Sequence, residues 1–375
     1  MIYLDNAATT LHKPRAVEQA MCRALHTAAG YARGGHAAAL HAGELVYTCR
    51  EQAAALFGVD DPARVVLTMN ATHALNLAIH ALVRPGMRVV VDGYAHNAVM
   101  RPLALHGIEP VVLDAPLWDS AALVAQAERA LAEGAALFVL THVSNVFGYV
   151  LPVEAIADRL DAAGVPLVLD ASQSAGVLPI DVRQHPCLAA VAMPGHKGLY
   201  GPQGTGLLLA LDARLGQRPL LAGGTGSRSQ QLRQPTFLPD ALESGTPNLP
   251  GIAGLSAGLA FVRAVGPAQI LAQEQRLCRA LVRALADEER ITCFAHPAQT
   301  GVLSLRVQGA AAETVAAALA QRGVAVRAGL HCAPLAHRTA GTEQTGTVRL
   351  SLSFYSTAQQ VAQTAALLRE VVKNL

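Results

Sequence analysis

Lys197 stands in Met193-Pro194-Gly195-His196-Lys197-Gly198-Leu199-Tyr200-Gly201-Pro202, a glycine- and proline-rich turn inside an apolar stretch. A lysine there is either a solvated surface group or, in a confined and partly dry turn, an amine suited to form a Schiff base. Upstream, Val168-Leu169-Asp170-Ala171-Ser172-Gln173 ends an apolar run on a carboxylate. A buried carboxylate is costly unless paired, so Asp170 either caps a turn or faces a cation. A protonated pyridine nitrogen is one such cation. Together with a Schiff-base lysine it suits pyridoxal 5'-phosphate (PLP), whose charged ring acts as an electron sink.

That cofactor needs a phosphate cradle. In Met69-Asn70-Ala71-Thr72-His73-Ala74-Leu75-Asn76, backbone N–H groups at a helix start and the Thr72 hydroxyl make an anion site. A plain N-cap by Asn70 or Thr72 is compatible with the same pattern. His96 falls at another strand-end loop. Arg327-Ala328-Gly329-Leu330-His331-Cys332-Ala333-Pro334 presents a cysteine that is either a packing residue or a reactive thiolate. The segment 329–346 carries three glycines and several threonines and reads as a mobile loop. A loop thiol flanked by His331 and Arg327 suits reactivity better than packing. No metal-ligand spacing is visible.

The elements that must position these residues are legible as short apolar runs alternating with Ala/Leu-rich stretches. Strands are expected at 64–68, 88–92, 109–113, 136–141 and 167–170, with helices at 72–82, 97–106, 120–132 and 153–163. The strands are apolar on consecutive positions, as in a parallel sheet covered on both faces. This is a doubly wound α/β domain, which binds ligands beyond the carboxyl ends of its strands. Residues 220–250 read as a long loop region. Beyond Gly251 a continuous helical region is expected over 252–287. Strands at 302–307, 324–327 and 348–354 and a closing helix from Thr357 follow, forming a smaller α+β unit. The division is a large domain over 15–250 and a small domain of 1–14 with 251–375.

The chain has 375 residues, 52% hydrophobic and 15% charged, with mean hydropathy +0.31. That excludes a disordered or coiled-coil chain. Its apolar runs are too short to span a membrane. A net charge of +2 without basic blocks gives no footprint for nucleic acid. The N-terminus lacks the pattern of a signal peptide. Six scattered cysteines read as reduced thiols in a cytoplasmic protein, five of them as core residues.

These motifs, in this order from Tyr3-Leu4-Asp5-Asn6-Ala7-Ala8-Thr9-Thr10 to Val348-Arg349-Leu350-Ser351, resemble the class V aminotransferase family, and within it the cysteine desulfurases. The resemblance runs nearly end to end. It implies PLP-dependent fold type I and a homodimer with active sites at the subunit interface. It implies that Lys197 carries the Schiff base, Asp170 pairs the pyridine nitrogen, Gln173 bonds the phenolic oxygen, and His96 stacks on the ring and shuttles protons. Thr72, His196 and the backbone at Ala71 and His73 would hold the phosphate, with Thr246 reaching the neighbouring subunit's phosphate. Arg349 would clamp the substrate α-carboxylate with Asn145 opposite, and Arg327 belongs to the same substrate-binding set. Cys332, in an Arg-x-Gly-x-His-Cys form, would take sulfur from L-cysteine as a persulfide and release L-alanine, passing the sulfur to an acceptor protein. Selenocysteine lysis and another class V reaction (transamination or β-lysis) are the alternatives. Two departures stand out: Pro194 and Ala71 occupy positions where the family usually carries hydroxyl residues.

Overall fold

The computed structural model describes residues 1–31 and 34–375. Seven strands form the main sheet: β2 (Val65–Thr68), β3 (Val89–Asp92), β4 (Val111–Leu113), β5 (Leu137–Thr141), β6 (Leu167–Asp170), β7 (Leu188–Pro194) and β8 (Gly206–Ala210). Their order is β2-β8-β7-β6-β5-β3-β4. β8 runs antiparallel to β2 and β7, and the other pairings are parallel. β3, β5, β6, β7 and β8 are buried at every position. Consecutive Val and Leu side chains therefore enter cores on both sheet faces, which is why these strands show no apolar/polar alternation.

Helices α1 (Arg15–Thr27) and α2 (Ala37–Phe57) precede the sheet. Helices α3 (Ala71–Leu82), α4 (Asn97–Leu105), α5 (Ser120–Ala132) and α6 (Val153–Ala163) connect its strands. A second sheet of order β12-β13-β10-β9 is antiparallel: β9 (Ile291–Phe294), β10 (Val302–Val307), β12 (Arg327–Gly329) and β13 (Thr347–Ser351). β1 (Ile2–Tyr3) pairs with β11 (Val324–Ala325) in parallel. Helices α7 (Leu249–Val265), α8 (Pro267–Ala284), α9 (Ala312–Gln321), α10 (Pro334–Thr339) and α11 (Ala358–Asn374) complete the fold.

Four sequence expectations need correction. The single helix over 252–287 is two helices bent by 79°. Gly266 lies at φ +88 and Pro267 follows it, so the residue before proline leaves the helical region and the chain turns. The strand over 324–327 breaks into β11 and β12, because β11 pairs with β1 while β12 pairs with β13. The segment 329–346 is not a loose loop: it contains α10 and fully buried His337, and Thr342 is buried against it. The cysteine reading fails at two positions, since Cys22 is exposed and Cys293 only half-buried. No single helix among the described residues is long and apolar enough to cross a membrane.

Candidate active site

Three adjacent parallel strands deliver Thr141, Asp170 and Ala192 in register, as partners across β5, β6 and β7. Beyond these carboxyl ends lies a cavity of about 200 Å³. Ala71, Thr72, His96, Asn145, Asp170, Gln173, His196, Lys197, Arg327 and Arg349 all line it. Residues more than 270 positions apart in the chain thus meet at one wall.

Lys197 follows β7 in a turn closed by Gly201 N–H donating to Gly195 O at 2.8 Å and Tyr200 N–H donating to Lys197 O at 2.9 Å. The turn rests on the loop after β6. A Cβ on Gly176, at φ +82, would sit 2.2 Å from Gly198 O, so the two backbones approach as only glycine allows. The N-terminal segment fixes the turn from the other side: Thr10 donates its N–H to His196 O at 3.0 Å and its hydroxyl to Lys197 O at 2.9 Å. Lys197 is half-buried by residue surface, but its ammonium end is desolvated. Burial lowers its pKa from 10.5 to about 8, against the opposing pull of Asp170 and with help from Arg349.

Asp170 is 3% exposed and accepts from the Ser172 amide at 2.9 Å and from the Ser172 hydroxyl, both on Oδ1. Gln173 donates Nε2–H to Ala7 O at 3.0 Å. His96 is the N-cap of α4, its Nδ1 accepting from Ala98 N–H at 3.0 Å. The neutral ring therefore carries its proton on Nε2. Burial holds its pKa low, opposed by Asp170 and reinforced by Lys197, so the ring is neutral at pH 7.

The start of α3 forms the opposite end of the cavity. Asn70 Oδ1 accepts from His73 N–H at 2.8 Å, capping the helix. The His73 amide is used in this cap, and the residue lines a separate cavity of about 370 Å³. Thr246 lies in that second cavity too, together with Met69 and Leu221, which are 56% and 50% exposed. His196 bonds Thr9 Oγ1 through Nδ1 at 3.0 Å, and burial pushes it down to about 4, so it too is neutral.

Cys332 is exposed and does not itself line the cavity, but its neighbour His331 and its hydrogen-bond partner Arg327 do. His331 at φ +50 and Cys332 at φ +57 are consecutive left-handed residues, a costly turn that persists only when its surroundings fix it. They do. His331 Nε2 lies 3.2 Å from Thr347 O, Asn145 Nδ2–H donates to His331 O at 2.8 Å, and Asn97 N–H donates to Cys332 O at 2.9 Å. Asn145 is thus tied to the cysteine turn through its amide nitrogen. The main-chain carbonyl of Asn145 accepts from Arg349 Nη1 at 2.9 Å. Arg349, 1% exposed, also pairs through Nη2 with Asp5 at 2.8 Å, and its buried Nε has no partner among the described residues. Burial lowers its pKa, opposed by Asp5.

Sequence reasoning did not single out Asp5, Asp92 or Thr141. Asp92 is fully buried and accepts from Tyr94 N–H at 2.8 Å and Thr141 N–H at 2.6 Å, bridging β3 to β5. Burial lifts its pKa to about 7 despite these donors. A signal existed, because Val89-Val90-Val91-Asp92 ends an apolar strand on a carboxylate just as β6 does.

The donor set fits PLP. A desolvated amine sits beside a buried carboxylate, and the start of a twelve-residue helix closes the far end of the same cavity. Pro194 and Ala71 bring no hydroxyl to that end, which leaves backbone amides, Thr72 and His196.

Comparisons with known proteins agree with this arrangement. A cysteine desulfurase from Yersinia pseudotuberculosis is 31% identical, over 100% of this chain and 94% of its own length. A probable cysteine desulfurase from Methanothermobacter thermautotrophicus is 31% identical, over 99% of this chain and 94% of its own. The apo structure of a cysteine desulfurase from Thermococcus onnurineus superposes with a TM-score of 0.90 at 30% identity, covering 100% of this chain and 95% of that one. The fold is accordingly that of the PLP-dependent type I enzymes expected from the sequence. With Aminotransferase class-V matching residues 2–364, the chain belongs to the class V aminotransferase family.

Proposed function

We propose that this protein is a cysteine desulfurase, converting L-cysteine and an enzyme thiol to L-alanine and an enzyme persulfide. The observation that carries the reading is an exposed cysteine, Cys332, whose neighbour His331 and hydrogen-bond partner Arg327 line the cavity that contains Lys197 and Asp170. Transamination and β-lysis need no such thiol.

PLP, when bound, supplies a sink for the electron pair left at Cα. In the resting enzyme Lys197 would hold it covalently and Asp170 would keep its ring nitrogen charged. Gln173 and His96 would contact its ring, and the Ala71–Thr72 backbone, the Thr72 hydroxyl and His196 would take its phosphate. Arg349 orients the substrate carboxylate, with Asn145 holding the arginine in place. Once the substrate amine has displaced it, free Lys197 Nζ, part-neutral near pH 8, would remove the Cα proton. His96 Nε2 gives and takes protons at the reacting thiol. Cys332 Sγ, as thiolate, attacks the substrate sulfur. The S–S bond forms as the Cβ–S bond breaks, and its electron pair stays with the three-carbon fragment, which is protonated to alanine.

The active unit is a homodimer in this reading. The 370 Å³ cavity holding Thr246, and the exposed Met69 and Leu221 on its rim, support a second copy against this face. Six free thiols suit a reducing, cytoplasmic setting in which the persulfide sulfur passes to an acceptor protein.

The test is Cys332→Ala assayed with L-cysteine and L-selenocysteine, alanine being the shared product. Loss of alanine from L-cysteine is expected. Wild-type alanine production from L-cysteine would sink the persulfide role, and loss of cysteine activity with selenocysteine lysis retained would make selenocysteine the better-suited substrate.

A further inference from the structure

Arg327 lines the cavity, and a guanidinium there invites assignment to the substrate carboxylate. Its contacts say otherwise. Arg327 and Arg349 face one another as register partners across β12 and β13. Arg349 is already partnered, with Asp5 on Nη2 and Asn145 O on Nη1. Among the described residues, the one hydrogen bond the Arg327 side chain makes is from Nη2 to Cys332 Sγ, at 3.5 Å. Its charge has no carboxylate within ion-pair distance there.

A second positive influence reaches the same residue independently. The Asn97 amide that donates to Cys332 O is the first N–H of α4, a nine-residue helix, so Cys332 lies at that helix's positive end. The remaining neighbours do not cancel the field. The nearby histidines of α4's cap and of the cysteine turn, His96 and His331, are both held neutral by burial. On α10, Arg338 is exposed and paired with Glu343 at 3.5 Å. Asp5 is committed to Arg349, and Asp170 lies at the cavity floor beside Lys197.

We infer that Arg327 is the counter-ion of Cys332, stabilising its thiolate and the persulfide anion formed on it, and not a ligand of the substrate carboxylate. Arg327 is the guanidinium hydrogen-bonded to the sulfur, and Arg349 adds a longer-range positive influence while it serves the carboxylate. This rests on Cys332 being the nucleophile, but its test does not depend on turnover.

The experiment follows alkylation of the holoprotein at pH 7 by iodoacetamide, a neutral reagent, mapped by peptide mass spectrometry. Exposed Cys22 on α1 serves as reference in the same digest. Arg327→Gln should slow alkylation of Cys332 about tenfold and leave Cys22 unchanged, whereas Arg327→Lys should stay within about threefold of wild type. With L-cysteine, Arg327→Gln should lower kcat about tenfold and leave KM within about threefold. Unchanged alkylation of Cys332, or a KM rise that exceeds the fall in kcat, overturns the assignment. Should the glutamine variant not fold, the wild type decides: Cys332 should react at least about tenfold faster than Cys22, and equal rates overturn the pairing. Failure of the desulfurase reading would appear elsewhere, as undiminished alanine production by Cys332→Ala.

Discussion

The amide of Asn97 donates to the carbonyl of Cys332 at 2.9 Å, joining the exposed cysteine to the helix that His96 caps. Asn97 is the first residue of α4, where a missing N–H does not cost the helix a bond. His96 already has the extended backbone that a following proline requires, with φ −75 and ψ 156. Asn97→Pro therefore removes one contact and little else. Stability should change by less than about 1 kcal/mol, while kcat with L-cysteine should fall about tenfold at similar KM. Urea unfolding and steady-state kinetics read the two effects separately.

Arg349 is almost fully enclosed, and Asp5 is the carboxylate that offsets its charge. Removing one member of such a pair leaves an uncompensated buried cation. Asp5→Ala should lose about 2 to 3 kcal/mol in denaturant unfolding, a value reduced by the partial exposure of Asp5. Asp5→Asn, which keeps a hydrogen-bond acceptor for the guanidinium, should lose less.

Gly176 and Gly134 both have left-handed backbones, at φ +82 and +85. A Cβ at 134 meets nothing within 4 Å, whereas one at 176 strikes Gly198 O. Gly134→Ala should cost about 1 kcal/mol from backbone strain alone, and Gly176→Ala about 3 kcal/mol or more. Gly176→Ala should in addition displace the Lys197 turn and weaken PLP retention, measured by visible absorbance after dialysis.

Lys197 has its pKa lowered by burial to about 8. A lowered pKa means that the neutral amine appears at lower pH: about half is neutral at pH 8, against under about 1% for an ordinary lysine at 10.5. In protein freed of cofactor, reductive methylation of Lys197 should rise through pH 8 and then level off. Lys13, also lowered to about 8, should follow a similar curve. A Lys197 profile still climbing at pH 10 would contradict the burial argument.

Local chemistry made much of the fold legible. Buried strands such as β5 and β6 announce themselves because both faces must be apolar, so their residues are hydrophobic without alternation. Amphipathic connectors such as α5 carry their own period, and α5 begins and ends where the sequence places it. The helix break at Gly266 was written in Gly-Pro but masked by the apolar run around it. The split between β11 and β12 had no local sign. Which strand a residue joins depends on partners far along the chain, and here those partners are β1 and β13.

Residue types and their chain neighbours made the inventory of the site legible: an amine in a glycine turn, an acid closing an apolar strand, a helix start, a thiol between arginine and histidine. Each is a local property of side-chain type and neighbouring backbone. Which of these groups touch one another is a matter of the fold. It assigned the His73 amide to the cap of its own helix and engaged Asn145 with both Arg349 and the cysteine turn. It brought in Asp5 from the N-terminus and gave Arg327 to Cys332. Hydrogen bonds and ion pairs act over about 3 Å, and only folding brings residues hundreds of positions apart within that reach.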